Sequence, residues 1–125
     1  MRFKHQTFIY GGVLLAALWL FKAISTAEAS KGMTIEPTLV EFGATGCVPC
    51  DMMQPVLDNL RKKYQDRLNI VFVHVGEEQI LGARYAIASI SVQAFFNRSG
   101  KEVFRHTGFF AQAEVEEKLV EMGVK

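Results

Sequence analysis

The chain has only two cysteines in 125 residues, Cys47 and Cys50. That is too few for the disulfide framework that holds small secreted domains together. It also leaves no second cysteine pair for a closed zinc site, which needs four Cys or His ligands. The three histidines do not make up the shortfall. His5 precedes an apolar segment, and His74 and His106 lie in strand-like runs without ligand spacing, so no metal site is expected. Basic runs are missing beyond the extreme N-terminus, and the net charge is +1. Nucleic-acid binding therefore has no electrostatic support. Repeats and low-complexity segments are absent, and the length sets a single domain as the prior. Half of the residues are hydrophobic, enough to build a core at this length.

The N-terminus differs from the rest. Arg2 and Lys4 precede a run without charge from Thr7 to Phe21, which Lys22 ends. A basic start before an apolar run is the pattern of an export signal. Two readings stand side by side: a signal peptide cleaved after Ala27-Glu28-Ala29, or an uncleaved anchor with Lys22 reaching the interface. The run is short for a helix of about 20 residues and spans a membrane only if it continues through Ala23 and Ile24. In both readings the basic end stays in the cytoplasm and the remainder crosses. Residues 1–29 are thus expected to be signal or anchor, and residues 30–125 an exported, periplasmic or otherwise extracytoplasmic domain. From Ser30 onward there are 11 Lys and Arg against 12 Asp and Glu, a net −1. Segment 22–31 is ambiguous between signal tail, linker and an additional helix.

Hydrophobic periodicity orders the exported part. Thr38 to Phe42 is short, apolar and β-branched, the pattern of a strand. Gly43 and Gly46 mark a loop. Val48 to Tyr64 reads as a helix with Met53, Val56, Leu57 and Leu60 on one face, and Pro55 is expected to kink it. Asn69 to Val75 is nearly continuously apolar, as in a strand buried on both faces. Glu77 to Tyr85 reads as a short helix. Ser91 to Asn97 and Glu102 to Thr107 form a hairpin around Gly100, and Ala111 to Met122 closes the chain as a helix. The order is β-α-β-α-β-β-α. The first two strands should be parallel, joined by a right-handed crossover, and the last two antiparallel. Phe95, Phe96, Phe104 and Phe110 are expected mostly in the core, with Phe109 nearest the functional groove.

The cysteine pair closes a loop of four residues. As a structural staple that is worth about 2 kcal/mol before strain, a poor use of two cysteines. Its placement fits redox chemistry better. Cys47 falls at a helix start, where free N–H groups and the dipole favour an anion and lower a thiol pKa. Cys50 is one turn in, close enough to attack a mixed disulfide on Cys47. Pro49 fits the first turn, where no N–H is needed. One thiol to attack and one to resolve is the minimal device for thiol–disulfide exchange.

With these residues in hand, the sequence from about Thr38 to Met122 resembles the thioredoxin family. "CVPC" has that family's Cys-x-Pro-Cys form, and Pro55 matches its helix-kinking proline. "ARYAIASI" looks like the approach to its substrate loop, and "GKEVFRHTG" like its final hairpin with Gly108. The resemblance implies an α/β, thioredoxin-like fold: a mixed four-stranded sheet with helices on both faces. It implies that Glu41, where the family carries an acidic residue, exchanges a proton with Cys50 through water. It implies a substrate-binding loop at Ile90, Ser91 and Val92, with Gly108 beside it. Three departures stand out. Gly43 and Gly46 occupy places where the family often has tryptophan. Phe72 replaces a common basic partner of the acidic residue. Ser91 replaces the cis-proline that faces the cysteine pair, which leaves the Ile90–Ser91 bond either cis or a rearranged trans loop.

The expected function is thiol–disulfide exchange on the exported side: Cys47 attacks, Cys50 resolves and Glu41 handles protons. The expected partners are protein disulfides and a membrane-embedded electron donor. No bound cofactor is needed, and a monomer is expected. Two alternatives remain open at this point. One is a disulfide-forming oxidase, since sequence does not set redox poise. The other is a non-enzymatic binding or metal-binding domain in which Ser91 has opened the site.

Overall fold

A computed structural model describes residues 35–125, so the expectations for residues 1–29 and for segment 22–31 lie outside the described residues. The elements run β1 (Thr38–Gly43), α1 (Val48–Tyr64), a 3-10 turn (Gln65–Arg67), β2 (Asn69–His74), α2 (Gln79–Arg84), β3 (Val92–Phe96), β4 (Glu102–Thr107) and α3 (Gln112–Glu121). The sheet order is β2-β1-β3-β4. β1 and β2 are parallel, and the other two pairs are antiparallel. This is the mixed four-stranded sheet, with helices on both faces, that the resemblance implies.

Strand alternation divides the core in two. Leu39 and Phe95 point to one face, where α1 contributes Met53, Leu57 and Leu60 and α3 contributes Val115 and Leu119. All seven are fully buried, and burial of each large aliphatic side chain stabilises the fold by about 1.5–3 kcal/mol. Phe42, Val73, Val92 and Ala94 point to the other face, against Leu81 and Tyr85. The helical spacing expected over Val48 to Tyr64 is borne out: Met53, Val56, Leu57 and Leu60 are its buried residues, with Cys50 and Tyr64, and Pro55 lies inside the helix. Of the phenylalanines, Phe95 and Phe110 are buried, Phe96 and Phe104 pack against the core, and Phe109 is exposed.

Two expectations need correction. β2 is not buried on both faces: Val71 and Phe72 are 43% and 36% exposed. Among the described residues it has only β1 as a neighbour. Six-residue α2 lies on the Val71 side and is too short to cover it, and Phe72 lies on the opposite side. The short helix also begins later than Glu77. The N–H groups of Glu77 and Glu78 both donate to the His74 carbonyl, which makes that stretch a turn before α2.

Candidate active site

The site is built on the junction from β1 into α1. Gly43 ends the strand where a side chain would crowd its neighbours. A Cβ there would sit 2.9 Å from the Phe72 ring and 3.1 Å from Cys50 Sγ. The loop that follows is held by His74, whose Nε2 accepts the Thr45 N–H at 3.1 Å.

Cys47 is the N-cap of α1 and is joined to Cys50 by a disulfide, with Cα atoms 5.2 Å apart. Its sulfur accepts the Cys50 N–H at 3.3 Å. On reduction, that donor and the free N–H groups of the first turn face the Cys47 sulfur and favour its thiolate. Cys47 is half-buried, whereas Cys50 is 1% exposed. An outer sulfur can meet a partner, and an inner one can meet only Cys47.

Glu41 lies two residues before Gly43 on β1, so its side chain shares the face on which Cys50 Sγ lies. It is fully buried. Ser91 Oγ donates to one carboxylate oxygen, and Gln93 Nε2 donates to the other at 2.8 Å. Gln93 Nε2 also donates to Ser91 Oγ at 2.7 Å. Desolvation is the largest influence on Glu41 and outweighs the two hydrogen bonds, which favour the ionised form. Its pKa is raised to about 7. A carboxyl group poised there can take up and release a proton near neutrality.

The register explains the grouping. Glu41 pairs with Phe72 on β2 and with Gln93 on β3, and Gln93 pairs with His106 on β4. These four residues form one row across the face toward α1 and α3. The apolar Phe72 thus stands in register with Glu41, and the hydrogen bonds to Glu41 come from uncharged side chains. His106 stacks on Phe110 with ring centroids 4.2 Å apart.

The residues expected in a substrate loop fall in different places. The Ile90–Ser91 peptide bond is cis. Ile90 is half-buried, while Ser91 is fully buried with its hydroxyl committed to Glu41. Val92 sends its side chain into the core of the opposite face. Gly108, at a φ of +96° that disfavours other residues, donates its N–H to the Ser91 carbonyl at 2.8 Å. The structure therefore brings Glu41 and Ser91 into one hydrogen-bonded group and ties Gly108 to Ser91 through the backbone. Gln93 was missed from the sequence. The available signal was a glutamine inside an apolar strand, two residues from Ser91 and hence on the same face.

Among the described residues no three His, Cys, Asp or Glu side chains gather as a metal-holding group.

Comparison with known proteins points to one family. The thioredoxin family model matches residues 25–121. A thioredoxin of Porphyra purpurea is 31% identical over 83 residues, covering 66% of this chain and 77% of the relative. A thioredoxin of Staphylococcus aureus is 35% identical over 81 residues, covering 65% and 77%. Thioredoxin 1 of Synechococcus elongatus is 36% identical over 67 residues, covering 54% and 62%. A solved structure described as a malarial protein superposes with a TM-score of 0.66 at 17% identity, over 70% of this chain and 97% of its own, which bears on the fold alone. A strand-to-helix Cys-x-x-Cys disulfide, an outer and an inner sulfur, and a family match over most of the length lead to one conclusion. The chain belongs to the thioredoxin family and is a thiol–disulfide oxidoreductase whose redox pair is Cys47 and Cys50.

Proposed function

We propose that this chain reduces the disulfides of exported proteins. The observation that carries the reading is the asymmetry of the pair: Cys47 half-buried at a helix N-cap, Cys50 buried on the sheet face that holds Glu41. In the reduced protein the Cys47 thiolate attacks a substrate disulfide. A Cys47–substrate bond forms, and one substrate sulfur leaves as a thiolate and is protonated. Glu41 then takes the Cys50 proton through water. The Cys50 thiolate attacks Cys47 Sγ, closing the Cys47–Cys50 disulfide and releasing the second substrate thiolate. The substrate gains two electrons and the chain loses two. Ile90, Ser91, Val92 and Gly108 supply the backbone along which the substrate segment lies.

The setting is argued from Arg2, Lys4 and the uncharged run from Thr7 to Phe21, which favour export with the domain on the far side. A reductase there needs electrons from across the membrane, and a membrane-embedded dithiol donor would supply them. The chain acts as a monomer in this reading.

Trapping tests it. The full chain carrying Cys50→Ala is expressed in cells and analysed without reductant. Exported proteins disulfide-linked to Cys47 are expected, and they should vanish when Cys47→Ser is added. If no adducts form, or if they are confined to cytoplasmic proteins, the reading is overturned. A measured reduction potential separates reductase from oxidase, because a strongly oxidising pair would donate its disulfide instead.

A further inference from the structure

Gln93 is fully buried inside an apolar strand. A buried carboxamide is costly unless its donor and acceptor are both satisfied. Here the donor end is used twice, on Glu41 at 2.8 Å and on Ser91 at 2.7 Å, while among the described residues Oε1 has no partner. The arrangement suits an ionised Glu41, whose two oxygens receive one donor each. A protonated Glu41 would present an O–H instead and need an acceptor. The idle Oε1 belongs to the amide that already touches Glu41. Half a turn about the terminal side-chain torsion, which is broad and roughly two-fold, exchanges the positions of Nε2 and Oε1. Ser91 is equally adaptable, since a hydroxyl both donates and accepts.

We propose that Gln93 is a positioning residue for the exchange reaction. With Ser91 it holds Glu41 in one place in both protonation states, offering N–H to the carboxylate and C=O to the acid. A lysine or arginine at this point could serve only the ionised form, having donors and no acceptor. The remaining surroundings are consistent with this role. Phe72 on β2 and Cys50 on α1 share the Glu41 face. The titratable groups farther along it are His74 on β2 and His106 on β4, and Lys118 on α3 lies 4.5 Å over the Phe104 ring. Of these side chains only Ser91 and Gln93 hydrogen-bond to Glu41.

The inference rests on Glu41 being the proton acceptor, and its test is read without turnover. The full-length oxidised chain is titrated by NMR, following the Glu41 carboxyl carbon and the Gln93 side-chain amide. In the unaltered chain the amide signals should move with the Glu41 midpoint. Gln93→Met keeps the volume but removes the N–H and the C=O together. The bond given to the charged form is the stronger of the two, so the midpoint should rise by about one pH unit. The pH profile of disulfide reduction should move in the same direction. Amide signals indifferent to Glu41, or a Glu41 midpoint unmoved in Gln93→Met, would overturn the proposal. If the variant does not fold, the amide titration of the unaltered chain decides. Absence of exchange activity in the unaltered chain would instead count against the proposed function.

Discussion

The two faces of the sheet bury similar apolar side chains, yet among the described residues only one of them also buries polar side chains. Toward α2, Phe42, Val73, Val92 and Ala94 meet Leu81 and Tyr85. Toward α1 and α3, Leu39 and Phe95 share their face with Glu41, Ser91 and Gln93, all three fully buried. Cys50 is on that second face. An apolar core needs no carboxylate, and burying one is costly. The cost is confined to the side that holds the buried sulfur of the redox pair, so the contrast separates what folds the chain from what surrounds its reactive group.

The largest effect should come from the sulfur that the polar face supports. Cys47→Ser removes the nucleophile, and disulfide reduction should fall by about a thousandfold or more, measured as turnover of a model protein disulfide. The fold should survive, since a four-residue closure contributes little. Retained turnover would mean that the outer sulfur is not the attacking group.

Glu41→Gln comes next. At pH 7–8 the variant should lose about a hundredfold in the rate of mixed-disulfide resolution, and its pH profile should flatten around pH 7. Stability should move the opposite way. Glu41 has an ordinary value of 4.5 and a folded value of about 7. The folded chain therefore holds a proton that the unfolded chain has lost between those limits, and wild-type stability falls as pH rises through that window. The loss is about 3 kcal/mol, and it should be absent in Glu41→Gln. Urea denaturation of the oxidised proteins at pH 4.5 and pH 8 measures it. Parallel pH dependence in the two proteins would show that Glu41 ionises at no cost inside the fold.

Gly43→Ala sharpens the same contrast by crowding the reactive face alone. The new methyl would press on the Phe72 ring and on Cys50 Sγ, with an expected destabilisation of about 1–3 kcal/mol. Adding Phe72→Leu should restore part of it, read as a double-mutant cycle. Simple additivity would show that the ring is not what limits space there.

Much of this fold was legible because apolar periodicity is local. Met53, Val56, Leu57 and Leu60 declare their helix face without reference to anything distant, and Cys47 declares its helix start. Glu41 was legible as an anomaly, a carboxylate inside an apolar strand. Its partners were not, because Ser91 and Gln93 are about fifty residues away, and only the antiparallel register of β1 and β3 sets them beside it. The exposure of Val71 and Phe72 was hidden for a related reason. An apolar run has the same appearance at the edge of a sheet as at its centre, and strand order is a property of the whole chain. The cis geometry at Ile90–Ser91 was left open for want of a proline, although the Gly108 contact with Ser91 is in the place the family pattern implies.

The smallest effect should come from the apolar face, at its nearest polar tie. Arg105 donates to both Glu102 oxygens and, through its second terminal nitrogen, to the Tyr85 carbonyl at 2.8 Å. It thereby joins β4 to the end of α2. The Glu102 carboxyl is held below its ordinary pKa, chiefly by the Arg105 hydrogen bonds, so this tie weakens as pH falls through the carboxylate range. Arg105→Met keeps an apolar stem and should cost about 1 kcal/mol at neutral pH, the scale of a partly exposed ion pair. The Glu41 titration and the resolution rate should be unchanged, because Arg105 pairs with Ala94 and lies on the other side of the sheet from Gln93. A moved Glu41 midpoint in Arg105→Met would join the two faces electrically, and the separation of folding from chemistry drawn here would fail.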